Sequence, residues 1–170
     1  MKNQTALKKI IMRKHCTLEN ALNYKNEDVI FRFLKIYNIT EKESLLLFEE
    51  TKKWLWLCYK ATEPGTKIPV LIDDSMLIID EMWHNFILFT NDYKNYCIDK
   101  FGFYIHHQPT TKKESLLWKN DPEKNTNLYL KTIETQYSII FDLLGEETLL
   151  LWYKDLAKNY SKEKIKELTI

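Results

Sequence analysis

The stretch DEMWHNFILFTNDYKNYCIDKFGFYIHHQP, residues 80–109, decides how the chain is read. Just before and within it, Met76, Ile79, Trp83, Phe86 and Ile87 recur at helical spacing, leaving Asp80, Glu81, His84 and Asn85 on the polar side. Thr90 or Asn91 can recap the backbone for a second helical run, DYKNYCIDKF, which Gly102 closes. The residues that follow, FYIHHQP, lead to Pro109 and read as an extended exit segment, in which neighbouring side chains point to opposite sides.

The same logic extends outward. A short helix is expected over residues 5–14, and two short amphipathic helices in TLENALNY and NEDVIFRFLKIYN, the second carrying Val29, Phe33 and Ile36 on one face. In TEKESLLLFEETKKWLWLCYKAT, Thr40 followed by Glu43 forms a capping box, and Leu47, Trp54, Leu55 and Cys58 continue an apolar face to about residue 61. Pro64 and Gly65 then end that helix. Beyond the exit segment, KESLLW allows one helical turn, and Pro122 suits a helix start. A long helix runs from there to Gly145, with Leu128, Thr132, Thr135 and Ile139 on one edge beside Leu130, Ile133, Tyr137, Ile140 and Leu144. EETLLLWYKDLAKNY and the tail make the last helices. The prediction is an all-α fold: a single-domain compact bundle of about six to eight helices, with a short extended His-His segment after the central helix pair.

Composition agrees, and it leaves several function classes without support. The 170 residues include only three Gly and four Pro but five Trp, eight Phe and ten Tyr, which favours packed helices over many short strands. The 25 basic and 24 acidic residues are interleaved, so no electrostatic footprint for nucleic acid is present. The mixed charge of KNYSKEKIKEL reads as a solvated helix end. The odd set Cys16, Cys58 and Cys97 contains no C-x-x-C pair, which argues against a disulfide framework or a zinc finger and for a reducing, cytoplasmic location. MKNQTALKKIIMRKHC lacks the apolar core of a signal peptide, and MLIIDEMWHNFILF is broken by Asp80, Glu81 and His84 before it could span a bilayer.

Three of the chain's four histidines lie in the opening stretch. On a helix Asp80 and His84 sit one turn apart on a shared face, with Glu81 three residues from His84. Asp80 falls at the polar-apolar border, where a half-buried carboxylate needs a partner. Only one of His106 and His107 is expected to face His84. Asp80, His84 and one of that pair would offer one oxygen and two nitrogens, a set suited to zinc or iron with a position left for water, and Glu81 could be a fourth ligand or a general base. The same residues also make sense as a structural polar cluster. Trp83, Tyr93, Tyr96 and Cys97 read as packing around the site.

Ile79, Asp80, Trp83, His84, Ile87, Tyr93, Tyr96, Cys97, Gly102, Ile105, His106 and His107 together resemble the helical domain of the glycine-rich domain-containing protein-like family. WLWLCYKAT and LLWYKDLAKNY are similar to that domain too. The resemblance implies that Asp80, Trp83, His84 and one or both of His106 and His107 form the distinctive local feature; it brings no reaction. This chain has no glycine-rich region, so any role tied to one does not carry over. Two functions fit: a binding, adaptor or accessory domain whose His/Asp corner organises a pocket or an interface for another protein, or a metal-dependent enzyme, a hydrolase, built on those ligands.

Overall fold

The computed structural model describes residues 14–112, 115–116 and 121–170. Its central element is α3, Glu41–Ala61. The Thr40 hydroxyl accepts from the Glu43 N–H while the Glu43 carboxylate accepts from the Thr40 N–H at 2.8 Å, the reciprocal pair read from the sequence. Leu47, Phe48, Thr51, Trp54, Leu55, Leu57 and Tyr59 are all buried. A helix apolar on so much of its circumference has to be covered on several sides.

Two short helices supply part of the cover. α1, Leu18–Leu22, is capped by Thr17, and α2, Glu27–Ile36, by Asn26. Both pack on α3. The Lys52 ammonium of α3 reaches the end of α1, donating to the Leu22 and Tyr24 carbonyls at 2.7 and 2.8 Å. After α3 the chain crosses residues 67–73 without regular structure, makes a 3₁₀ turn at Asp74–Met76, and enters α4, Leu77–Leu88. α5, Thr90–Phe101, follows at once and ends at Gly102, whose φ of 82° is the left-handed conformation that glycine adopts freely.

α6 runs Pro122–Leu144, with Asp121 as cap and Pro122 in the first turn. Glu146–Leu150, a π-helical stretch Leu151–Leu156 and Ala157–Asn159 continue without a break and are together α7; α8 is Lys162–Leu168. Among the described residues there are thus eight helices and no strand. The sole β-type contact among the described residues is an isolated antiparallel bridge between Tyr37 and Thr169. The all-α multi-helix fold is as expected, and no helix among the described residues is long and apolar enough to cross a membrane.

The core is aromatic. Phe86 of α4 meets Phe48 edge-on at 5.1 Å and Tyr93 of α5 at 5.1 Å, and Trp54 of α3 meets Trp152 of α7 at 6.1 Å. One buried carboxylate ties the halves together: Glu50, 2 % exposed, accepts from Trp152 Nε1 at 2.7 Å and pairs with Lys53 at 2.8 Å. Both bonds compensate the desolvation of its charge.

Several expectations are corrected. Asn85, assigned to the polar side, is 2 % exposed because α2 covers it; its amide donates to the Val29 carbonyl at 2.9 Å and its oxygen accepts from Arg32 at 2.5 Å. α5 is not recapped by Thr90 or Asn91. Its cap position is Phe89, with no side-chain bond, and the break comes from the Phe89 backbone at ψ 63°. On α6 the buried face is Ile133, Gln136 and Ile140, while Leu128 and Leu130 stand 60 % and 57 % exposed. The helix expected over 5–14 lies, except for Lys14, outside the described residues, as does most of KESLLW, of which residues 115 and 116 are helical.

Candidate metal corner and cleft

α4 buries Ile78, Ile79, Met82, Trp83 and Phe86, which fixes its rotation and leaves Asp80 and His84 at the edge of the buried face. The other half of the corner comes from the chain that leaves α5. Tyr93 and Cys97, both fully buried, hold it. The Tyr93 hydroxyl accepts from Trp83 Nε1 at 3.0 Å and donates to the Ile105 carbonyl at 2.7 Å, and the Cys97 sulfur meets the Ile105 backbone. Burial raises the pKa of both Tyr93 and Cys97, so both keep their protons.

With Ile105 pinned inward, extended geometry alternates the next two side chains. His106 turns outward against Tyr104, ring to ring at 4.8 Å. His107 turns in. Its Nε2 lies 2.8 Å from Asp80 Oδ1, and its ring stands edge-on to Trp83 at 4.4 Å and 4.3 Å from the His84 ring. His84 Nδ1 lies 3.6 Å from the other oxygen, Asp80 Oδ2.

Asp80, His84 and His107 therefore each present a ligand atom, all within 4.8 Å of one another. Donors around a tetrahedral zinc stand about 3.3 Å apart, given bonds of about 2.0–2.1 Å. The observed 2.8 and 3.6 Å, measured to the two different oxygens of Asp80, lie on either side of that spacing. The side chains of His107 and Asp80 are 16 % and 22 % exposed and that of His84 is 49 % exposed, which leaves the site open on the His84 side.

Glu81 is not brought into this corner. One position along the helix from Asp80 is about 100° around it, and the Glu81 carboxylate accepts from the Tyr37 hydroxyl at 2.8 Å instead. Burial, and then this carboxylate, raise the Tyr37 pKa.

The corner forms part of the wall of a cleft of about 610 Å³, bounded by Trp54 and Cys58 of α3, residues 70–74, α4, and residues 103–110. Asp73, Asp74 and Asp80 line it, with no Lys or Arg among the described residues. Cys58 is a protonated thiol there, its pKa raised by burial. Sequence reasoning missed Asp73, Asp74 and Trp54 as cleft residues, because VLIDD reads as a plain connector and Trp54 as core. Gln136 was missed too. Its oxygen accepts from the Leu71 N–H at 2.8 Å, and its amide donates to the Leu71 carbonyl at 2.9 Å and to Tyr153 at 2.7 Å, so one side chain fastens the 70–74 wall to α6.

A compact helical protein with an Asp-His-His corner on a cleft is the class these features define. The chain belongs to the UCP032817-like family, whose profile matches residues 19–125, from α1 to the first turn of α6 and so across the whole corner. No curated protein and no solved structure matches it.

Proposed function

We propose that the protein is a small binding module whose corner of Asp80, His84 and His107 holds one divalent transition metal, zinc or iron, at the wall of the cleft. The supporting observation is the convergence of two imidazole nitrogens and a carboxylate oxygen within 4.8 Å. That donor set suits either metal and leaves coordination positions for water or a ligand atom. Because His84 and His106 are exposed beside the cleft, an ion held there is within reach of a guest or a partner protein. The likeness to the helical domain of the glycine-rich domain-containing protein-like family lies on these same residues and is part of this reading.

The test is metal content of protein prepared without a His tag, followed by titration of chelator-treated protein with zinc. One zinc or iron per chain is expected. His107→Ala and Asp80→Asn should weaken binding by at least about 100-fold, since each removes a ligand rather than an outer-shell support; His106→Ala should bind as the parent does. Binding that is unchanged in His107→Ala defeats the proposal.

A metal-dependent hydrolase is the second reading, favoured by the open positions, at which a bound water would be acidified. In it Glu81, whose carboxylate accepts from the Tyr37 hydroxyl, would have to leave that bond to serve as the base.

A further inference from the structure

We infer that the cleft beyond the metal corner receives a small organic cation: a primary amine on an apolar body that also carries a hydrogen-bond acceptor.

The volume, about 610 Å³, is that of a small-molecule site. Its walls combine ring surface from Trp54, Trp83, Phe103 and Tyr104 with the carboxylates of Asp73 and Asp74; among the described residues no Lys or Arg lines it, and its histidines are those of the corner and His106. Carboxylates set among aromatic faces are the usual surroundings of a bound ammonium. Asp73 is half-buried and accepts from the Ser75 N–H at 2.9 Å and from the Tyr129 hydroxyl at 3.2 Å. Neither contact neutralises its charge. Among the described residues no Lys, Arg or His forms an ion pair with Asp73 or Asp74. Burial first, and then this negative charge, raises the pKa values of Tyr129, Tyr137 and Tyr153.

A second, independent observation calls for the acceptor. Trp54 is 1 % exposed and walls the cleft, yet its indole Nε1 has no hydrogen-bond partner among the described residues. The other fully buried indole, Trp152, has one in Glu50. Buried N–H groups without an acceptor are rare. A guest oxygen seated against the Trp54 edge would supply what the protein does not.

Three probes separate the parts of this inference: phenylalaninamide has the amine and a carbonyl, phenethylamine the amine alone, and N-acetylphenylalaninamide carbonyls without charge. Calorimetric titrations use the full, metal-free chain and are repeated on His107→Ala, so that this inference and the metal corner succeed or fail separately. Phenylalaninamide should bind most tightly and the acetylated probe most weakly. Asp74→Asn, at an exposed position, should weaken both amines by about three- to tenfold and leave the neutral probe unchanged. Trp54→Phe keeps the ring and removes the N–H, and should erase the advantage of phenylalaninamide over phenethylamine. If that variant does not fold, the Asp74→Asn comparison decides. No binding of either amine at millimolar concentration, equal binding of the acetylated probe, or amine binding indifferent to Asp74→Asn overturns the inference.

Discussion

Lys52 shows how much one side chain can carry. It is 6 % exposed, and its ammonium satisfies two carbonyls at the end of α1 while standing 5.2 Å from the Phe48 ring. Burial pushes its pKa down to about 8 from 10.5. The folded chain thus holds this proton less readily than the unfolded one, and the protonated form carries a penalty that is full below the folded pKa. Stability should therefore rise as pH goes from about 8 to 10.5, by at most about 3 kcal/mol. Lys52→Met should flatten that rise in urea unfolding measured across this window. A parent and variant with parallel pH profiles would contradict the argument.

At the scale of elements, legibility followed locality. The capping box at Thr40, the start at Pro122 and the stops at Gly102 and Gly145 depend on a few adjacent residues, and each appears where the sequence put it. The break between α4 and α5 was expected beside Thr90 and Asn91, but its cap falls at Phe89, which makes no side-chain cap bond and so was not legible. Asn85 and Gln136 failed for another reason. Whether a polar residue faces water is decided by the helix that lands on it, and that is long-range information. The α3 cap offers a direct check. Bonds from the Thr40 hydroxyl and backbone, in that order, hold the Glu43 carboxyl below its usual value, with Tyr160 adding to them. Its contribution is complete above about pH 4.5 and fades as pH falls through the folded value. Thr40→Ala should cost about 1 kcal/mol at neutral pH in urea unfolding, and that deficit should shrink below pH 4.5.

For the molecule as a whole, the candidate corner was half visible in the chain. Helical period placed Asp80 beside His84, and strand-like alternation admitted one of the two adjacent histidines; which one depended on Tyr93, itself held by Trp83, seizing the Ile105 carbonyl, a three-dimensional fact. The cleft was invisible, since its walls come from four separate parts of the sequence. One of those walls hangs on Gln136. Gln136→Leu should cost about 2 kcal/mol, because it strands buried partners, and it should speed hydrogen exchange of the Leu71 amide far more than that of α3 amides. Uniform acceleration across the chain would instead mean that Gln136 supports the fold generally.

The same shielded amine on α3 has a practical consequence. Burial lets this amine part with its proton more readily than a surface lysine does, yet acylating reagents do not reach it while α1 stays seated. The time course of its labelling, read by mass spectrometry beside the fast surface lysines, becomes a clock for how often that corner of the protein breathes.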